Sequence, residues 1–160
     1  MTDPFQVLGL PAKFDLTPAS IERAYLTRIA LLHPDLGEVD ERAAAALNDA
    51  KAELLDEERR AEALLAKLKG PGKSEDKSLP PGFLMEMMEI RETLESDLES
   101  SPSEARVRWS AWVADRKAEH RAALTTMFAA TPPPLSEIRK TLNQWRYVER
   151  LAEELVEKAE

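Results

Sequence analysis

Apolar residues recur three and four positions apart over most of this chain, the spacing that puts them on one face of a helix. In residues 4–11, Phe5, Leu8 and Leu10 fall inward on one or two helical turns, which Gly9 and Pro11 bring to a stop. Thr17 offers an N-cap and Pro18 the first helical position. Ile21, Ala24, Tyr25, Arg28 and Leu32 then share a face, so the pattern predicts a second helix running to about Leu32. Further on, Asp40 is placed to cap a third helix with a narrow stripe of Ala43, Leu47, Ala50 and Leu54. The stripe resumes with Ala61, Leu65 and Leu68, and the pattern leaves open whether the helix continues or breaks around Asp56-Glu57. Small alanines allow the second and third helices to pack closely as an antiparallel pair.

Periodicity then lapses. Residues 70–82 are polar, hold glycine and proline, and read as a linker between a first domain (1–69) and a second (83–160). Three helical stretches follow, at about 83–99, 103–130 and 135–158, separated by Ser100-Ser101-Pro102 and Thr131-Pro132-Pro133-Pro134. Such short connections make antiparallel neighbours, hence a three-helix bundle. The fold class expected is all-α.

At 100° per residue, the first of these helices has two apolar faces. Phe83, Met87, Ile90, Leu94 and Leu98 form one stripe that can fill the bundle core, while Leu84, Met85 and Met88 point elsewhere, alongside Arg91, Glu92 and Glu95. The second cluster either packs on the first domain or the linker, or forms a methionine-rich binding surface rimmed by carboxylates. On the last helix Leu135, Ile138, Leu142, Trp145, Val148, Ala152, Leu155 and Val156 define the buried side, and Tyr147 falls off it. Trp109 and Trp112 share a side with Ala105, Leu124 and Met127 and read as core. His120 lies near that side and reads as an edge-of-core histidine.

Composition narrows the classes of function. The formal charge of −8 divides evenly, 13 acidic against nine basic residues in 1–69 and 15 against 11 in 83–160, which argues against a nucleic-acid footprint. With no cysteine and two histidines, neither thiolate ligation nor a metal site is expected, and no cofactor is implied. There is no window of eighteen apolar residues, and Met1-Thr2-Asp3-Pro4-Phe5 has neither the basic region nor the apolar core of a signal peptide. A cytoplasmic protein without membrane association is expected.

His33-Pro34-Asp35 lies between the second and third helical patterns. Proline removes a backbone donor and pushes the residue before it out of the helical region, so the tripeptide is displayed at a forced helix exit. Alone it reads as a turn. In this order of helices it resembles the J-domain of DnaJ-type co-chaperones. The second half narrows the resemblance: Phe83-Leu84-Met85-Glu86 followed by Met87-Met88-Glu89-Ile90-Arg91-Glu92 is similar to a signature of the HscB-type J-domain co-chaperones of iron–sulfur cluster assembly. Asn48, Ala50, Leu54, Arg60-Ala61-Glu62, Leu64-Leu65 and Trp145-Arg146-Tyr147-Val148 are similar to that family as well.

The resemblance implies an L-shaped two-domain protein, monomeric and not itself an enzyme. His33, Pro34, Asp35, Arg23 and Arg28 would dock on a DnaK/HscA-class chaperone and stimulate its ATPase. Leu84, Met85, Met88, Glu89, Arg91, Glu92 and Tyr147 would bind an IscU-like iron–sulfur scaffold protein and deliver it to that chaperone. This chain departs from the family pattern in places: the second helix offers only Arg23 and Arg28 as cations, Leu36 stands where a basic residue commonly follows the aspartate, and Thr93 and Ser96 replace usual acidic residues. The alternatives are a general J-protein serving DnaK with another client, a hydrolase using His33 and Asp35, and a bundle that self-associates through its second apolar face. The hydrolase lacks a visible nucleophile or a third orienting group.

Overall fold

The computed structural model describes residues 2–32 and 38–158, and among these every regular element is an α-helix. The helices are α1 (Pro4–Leu8), α2 (Pro18–Ile29), α3 (Glu38–Leu55), α4 (Glu57–Lys67), α5 (Phe83–Ser100), α6 (Pro102–Ala129) and α7 (Leu135–Glu157). The chain divides between Gly70 and Pro71 into two compact units. His33, Pro34, Asp35 and Leu36 lie outside the described residues.

Each helix of the first unit begins or ends on a named local device. Asp3 accepts hydrogen bonds from the Phe5 and Gln6 amides at 3.0 and 3.3 Å, and Pro4 opens α1 at the position where its missing donor costs nothing. Gly9, at φ 68°, ends it in the left-handed region that favours glycine, with the mobile end of the Arg28 side chain lying over it. Thr17 Oγ1 accepts from the Ser20 amide at 3.1 Å to start α2. That helix stops at Ile29, earlier than Leu32, because the backbone tightens: the Leu31 and Leu32 amides bond to carbonyls three residues back. Asp40 is inside α3 and does not cap it, since the helix already runs from Glu38.

The question around Asp56-Glu57 resolves as a break. Asp56 takes an extended conformation and its side chain accepts from the Arg59 amide at 3.0 Å, so α4 starts afresh with Glu57 and Glu58 in its first turn. Arg60 secures the joint. Its Nε donates to the Phe14 carbonyl and its Nη1 to the Leu54 carbonyl, both at 2.8 Å, with the guanidinium over the Phe14 ring. A carbonyl orphaned at the end of α3 is thereby satisfied inside the protein. Phe5, Leu8, Phe14, Leu16, Ile21, Leu47, Ala50, Leu54, Ala61, Leu64 and Leu65 form the buried interior around it.

The α2–α3 pair is antiparallel, with Glu22 bonded to Lys51 and Tyr25 to Asn48. Its seam is more polar than the alanine stripe predicts. Ile21 is the buried residue of α2, Tyr25 Oη donates to Asn48 Oδ1 at 2.8 Å, and Lys51 Nζ lies 4.4 Å from the Tyr25 ring centre. α4 ends with Lys69 in the left-handed region and the Gly70 amide bonded to the Leu65 carbonyl, a closure that satisfies another helix-end acceptor.

In the second unit α6 runs antiparallel to both neighbours: Glu86 and Asp97 of α5 reach Arg116 and Arg108, and Lys117 and Arg106 reach Glu149 and the Lys158 carbonyl of α7. α5 and α7 therefore run parallel, as Arg91–Glu154 and Glu95–Lys158 show. Met87, Leu94, Ala105, Trp109, Val113, Val148, Leu151 and Leu155 form the core between them. Trp109 keeps its ring buried while its Nε1 donates to Asp97 Oδ2 at 2.9 Å. Farther along the α6–α7 hairpin Leu124, Ile138, Leu142 and Trp145 are buried.

On α7 two sequence readings need correction, Val156 and Tyr147, and one buried residue, Arg139, was missed. Val156 is 66% exposed, because the inward face of α7 runs through Leu151 and Leu155, of which the sequence pattern predicts Leu155 and not Leu151. Arg139, a charged residue that no apolar stripe would include, is 2% exposed. Tyr147 is half-buried and packs edge-on against Phe83 at 5.6 Å.

Candidate functional site

Two surfaces carry the residues singled out from sequence, one in each unit. α5 begins at Gly82, whose φ of 80° suits glycine, and its inward stripe holds Met87 and Leu94 in the core. With that stripe fixed, helical geometry turns the other apolar residues out: Leu84, Met85 and Met88 are 51%, 64% and 61% exposed. Of the alternatives left open for this cluster, packing on the linker, which belongs to the same unit, does not fit these exposures. The three side chains sit at i, i+1 and i+4 on the first two turns, and so form one continuous patch. Glu89 and Glu92 are exposed beside it.

The remaining members differ in their surroundings. Arg91 is not a free cation, since its Nη2 pairs with Glu154 of α7 at 3.0 Å, which ties the middle of α5 to the last helix. Tyr147 reaches the start of α5 through its edge contact with Phe83, and Arg150 stacks over the tyrosine ring at 5.1 Å. The tyrosine is thus an intermediate residue at the border of core and surface. Exposed, flexible thioethers on a helix held rigid from behind can adapt to an apolar partner surface while the carboxylates fix its orientation.

In the first unit Arg23 is exposed and Arg28 lies over Gly9. Sequence reasoning missed two neighbours. Leu26, three residues on from Arg23 in α2, is 54% exposed and Leu31, just past the end of that helix, is 74% exposed; both fall outside the expected inward stripe, which is the signal that could have marked them. The outer side of this helix therefore offers apolar surface next to Arg23, with Glu22 neutralised by Lys51.

No group of three or more metal-ligating side chains comes together among the described residues. His120 is half-buried near Trp145, and burial, reinforced by the Arg116 charge, holds its pKa below the usual 6.5. Asp76 is held below the ordinary carboxylate range by the Ser78 hydroxyl and amide that bond to it. For Asp3, burial pushes upward but is outweighed by Lys67 and the backbone amides it caps. Among the described residues no helix is long and apolar enough to cross a membrane.

Comparison with known proteins agrees with this arrangement. Residues 79–156 match the family model described as the HSCB C-terminal oligomerisation domain. A co-chaperone protein HscB homolog from Bordetella petrii is 30% identical over 162 residues, covering 96% of this chain and 94% of that protein. The homolog from Vibrio cholerae is 39% identical over 101 residues, 58% of this chain and 59% of the relative. Among solved structures, the chaperone HscB from Vibrio cholerae superposes with a TM-score of 0.78 at 27% identity, covering 98% of this chain and 96% of that one. Human co-chaperone protein HscB has the same fold, with a TM-score of 0.81 at 23% identity, over 99% of this chain and 83% of the human one. With a 30% identical relative matched over nearly its whole length and an all-helical fold shared from end to end, this chain belongs to the HscB co-chaperone family.

Proposed function

We propose that the chain is a two-surface adaptor: the second unit binds an IscU-like iron–sulfur scaffold protein, and the first presents that complex to a DnaK/HscA-class chaperone and stimulates its ATPase. The observation that carries the reading is the exposed patch of Leu84, Met85 and Met88 on a helix whose opposite stripe is locked in the core. Glu89, Arg91, Glu92 and Tyr147 border that patch and set the orientation of the scaffold on it. His33, Pro34 and Asp35, with Arg23 and Arg28, contact the chaperone. The adaptor performs no chemistry of its own and works in the cytoplasm.

Linking the two surfaces in one chain raises the local concentration of scaffold at the ATPase, which is how an adaptor accelerates a reaction it does not catalyse. The absence of cysteine fits a protein that handles the carrier of a cluster rather than the cluster itself. The test separates the two surfaces. Changing His33→Gln is expected to abolish ATPase stimulation and leave scaffold binding unchanged; parallel loss of both would contradict two separate sites. A pull-down that recovers a client but no iron–sulfur scaffold would favour a general J-protein instead.

A further inference from the structure

Residues 71–82 contain no helix, yet they are fastened to α7. Asn143 Nδ2 donates to two carbonyls of this strap, Asp76 O at 3.1 Å and Ser78 O at 2.9 Å. Its Oδ1 accepts from Arg139 Nε at 2.9 Å, so every part of the amide is engaged and its flip state is set by the network. Arg139 is the buried guanidinium that the apolar pattern does not predict. The strap is also internally tied, since Asp76 Oδ1 accepts from the Ser78 amide at 2.9 Å and from its hydroxyl at 2.5 Å.

From Ser78 only four residues separate this clamp from α5, and they are stiff. Pro80 and Pro81 have fixed φ, Gly82 turns the chain at φ 80°, and the Phe83 amide bonds to the Pro80 carbonyl at 3.1 Å. No side chain caps α5. Its first turn, which carries Leu84 and Met85, takes its placement from the strap on one side and from the Phe83–Tyr147 contact on the other.

We infer that Arg139 and Asn143 are positioning residues for the client-binding surface: by clamping residues 76–78 onto α7 they fix the start of α5, and so the angle at which Leu84, Met85 and Met88 meet a partner. The connector is then a rigid part of the client-binding unit. The inference rests on the proposed scaffold-binding role of that patch.

The two roles of the amide can be separated in the full-length chain. Asn143→Asp keeps an acceptor for Arg139 and removes both donors to the strap. Hydrogen exchange of residues 77–86 and scaffold-stimulated chaperone ATPase are measured on this variant, on Leu84→Ala and on the unaltered protein. The expected result is faster exchange at 83–86, and a half-saturating scaffold concentration raised about two- to tenfold, as for losing the pre-ordering of one or two side chains, with the maximal rate unchanged. Exchange at 83–86 equal to that of the unaltered protein overturns the inference, as does a loosened strap with an unchanged half-saturating concentration. A scaffold that binds neither the unaltered protein nor Leu84→Ala overturns the scaffold reading instead, and exchange at 83–86 then decides the clamp by itself.

Discussion

Arg60 joins three stretches of the first unit with one side chain, bonding the carbonyls of Phe14 and Leu54 from within α4 while 6% exposed. Removing it leaves the Leu54 carbonyl without that donor while the Phe14 carbonyl keeps the Leu16 amide at 2.9 Å, so Arg60→Ala is expected to lower the unfolding free energy by roughly 1–3 kcal/mol in denaturant titration. A loss under about 0.5 kcal/mol would show that water replaces the guanidinium at both carbonyls. His120 acts on stability through pH. Its folded pKa is lowered below 6.5, so the unfolded chain binds a proton more readily. Its contribution is complete above the unfolded value and declines as pH falls through 6.5 toward the folded value. The Arg116 and Glu119 charges facing the ring act in opposite directions, with burial the larger effect. His120→Gln is expected to flatten the stability profile as pH falls from 7 through 6.5; an unchanged slope would mean the ring titrates alike in both states. The place of His120 at the edge of the core was legible in the sequence, whereas Arg60 appeared only as part of a family-like Arg-Ala-Glu run, and nothing in a helical wheel marks Arg139 as buried.

At the level of single helices, periodicity did most of the predicting. The inner stripe of α5 holds because Met87 and Leu94 are needed in the core, and once they are placed the outward direction of Leu84, Met85 and Met88 follows. These three make no core contact, so Leu84→Ala with Met88→Ala should change stability by no more than about 0.5 kcal/mol. Scaffold affinity should fall by at least about tenfold, as for truncating a central apolar anchor. Titration of the scaffold with the double variant checks both halves, and affinity equal to that of the unaltered chain would reject this face. Where the pattern left a helix open or misplaced a residue, a local interaction decided the outcome. Asp56 stops one helix and starts the next with a single hydrogen bond, Tyr147 is drawn half inward by Phe83, and α2 closes one turn early with tightened backbone bonds. Periodicity registers which residues are apolar and is blind to such bonds.

For the molecule as a whole, the all-helical class was legible from the helical spacing of apolar residues, whereas the attachment of residues 76–78 to α7 was not, because it depends on one amide 65 residues away in sequence. The family name attached to residues 79–156 speaks of oligomerisation, but the adaptor account needs one copy of the chain. Sedimentation at several concentrations is expected to give a monomer near 18.0 kDa throughout. A mass that rises with concentration would instead favour self-association through the α5 patch. The central claim is that one chain couples scaffold capture to ATPase stimulation, and steady-state ATP hydrolysis by a DnaK/HscA-class chaperone tests it most directly. With this protein and an iron–sulfur scaffold both present, the rate should exceed the sum of the two separate stimulations; a merely additive rate, or one that the scaffold leaves unaltered, would contradict it.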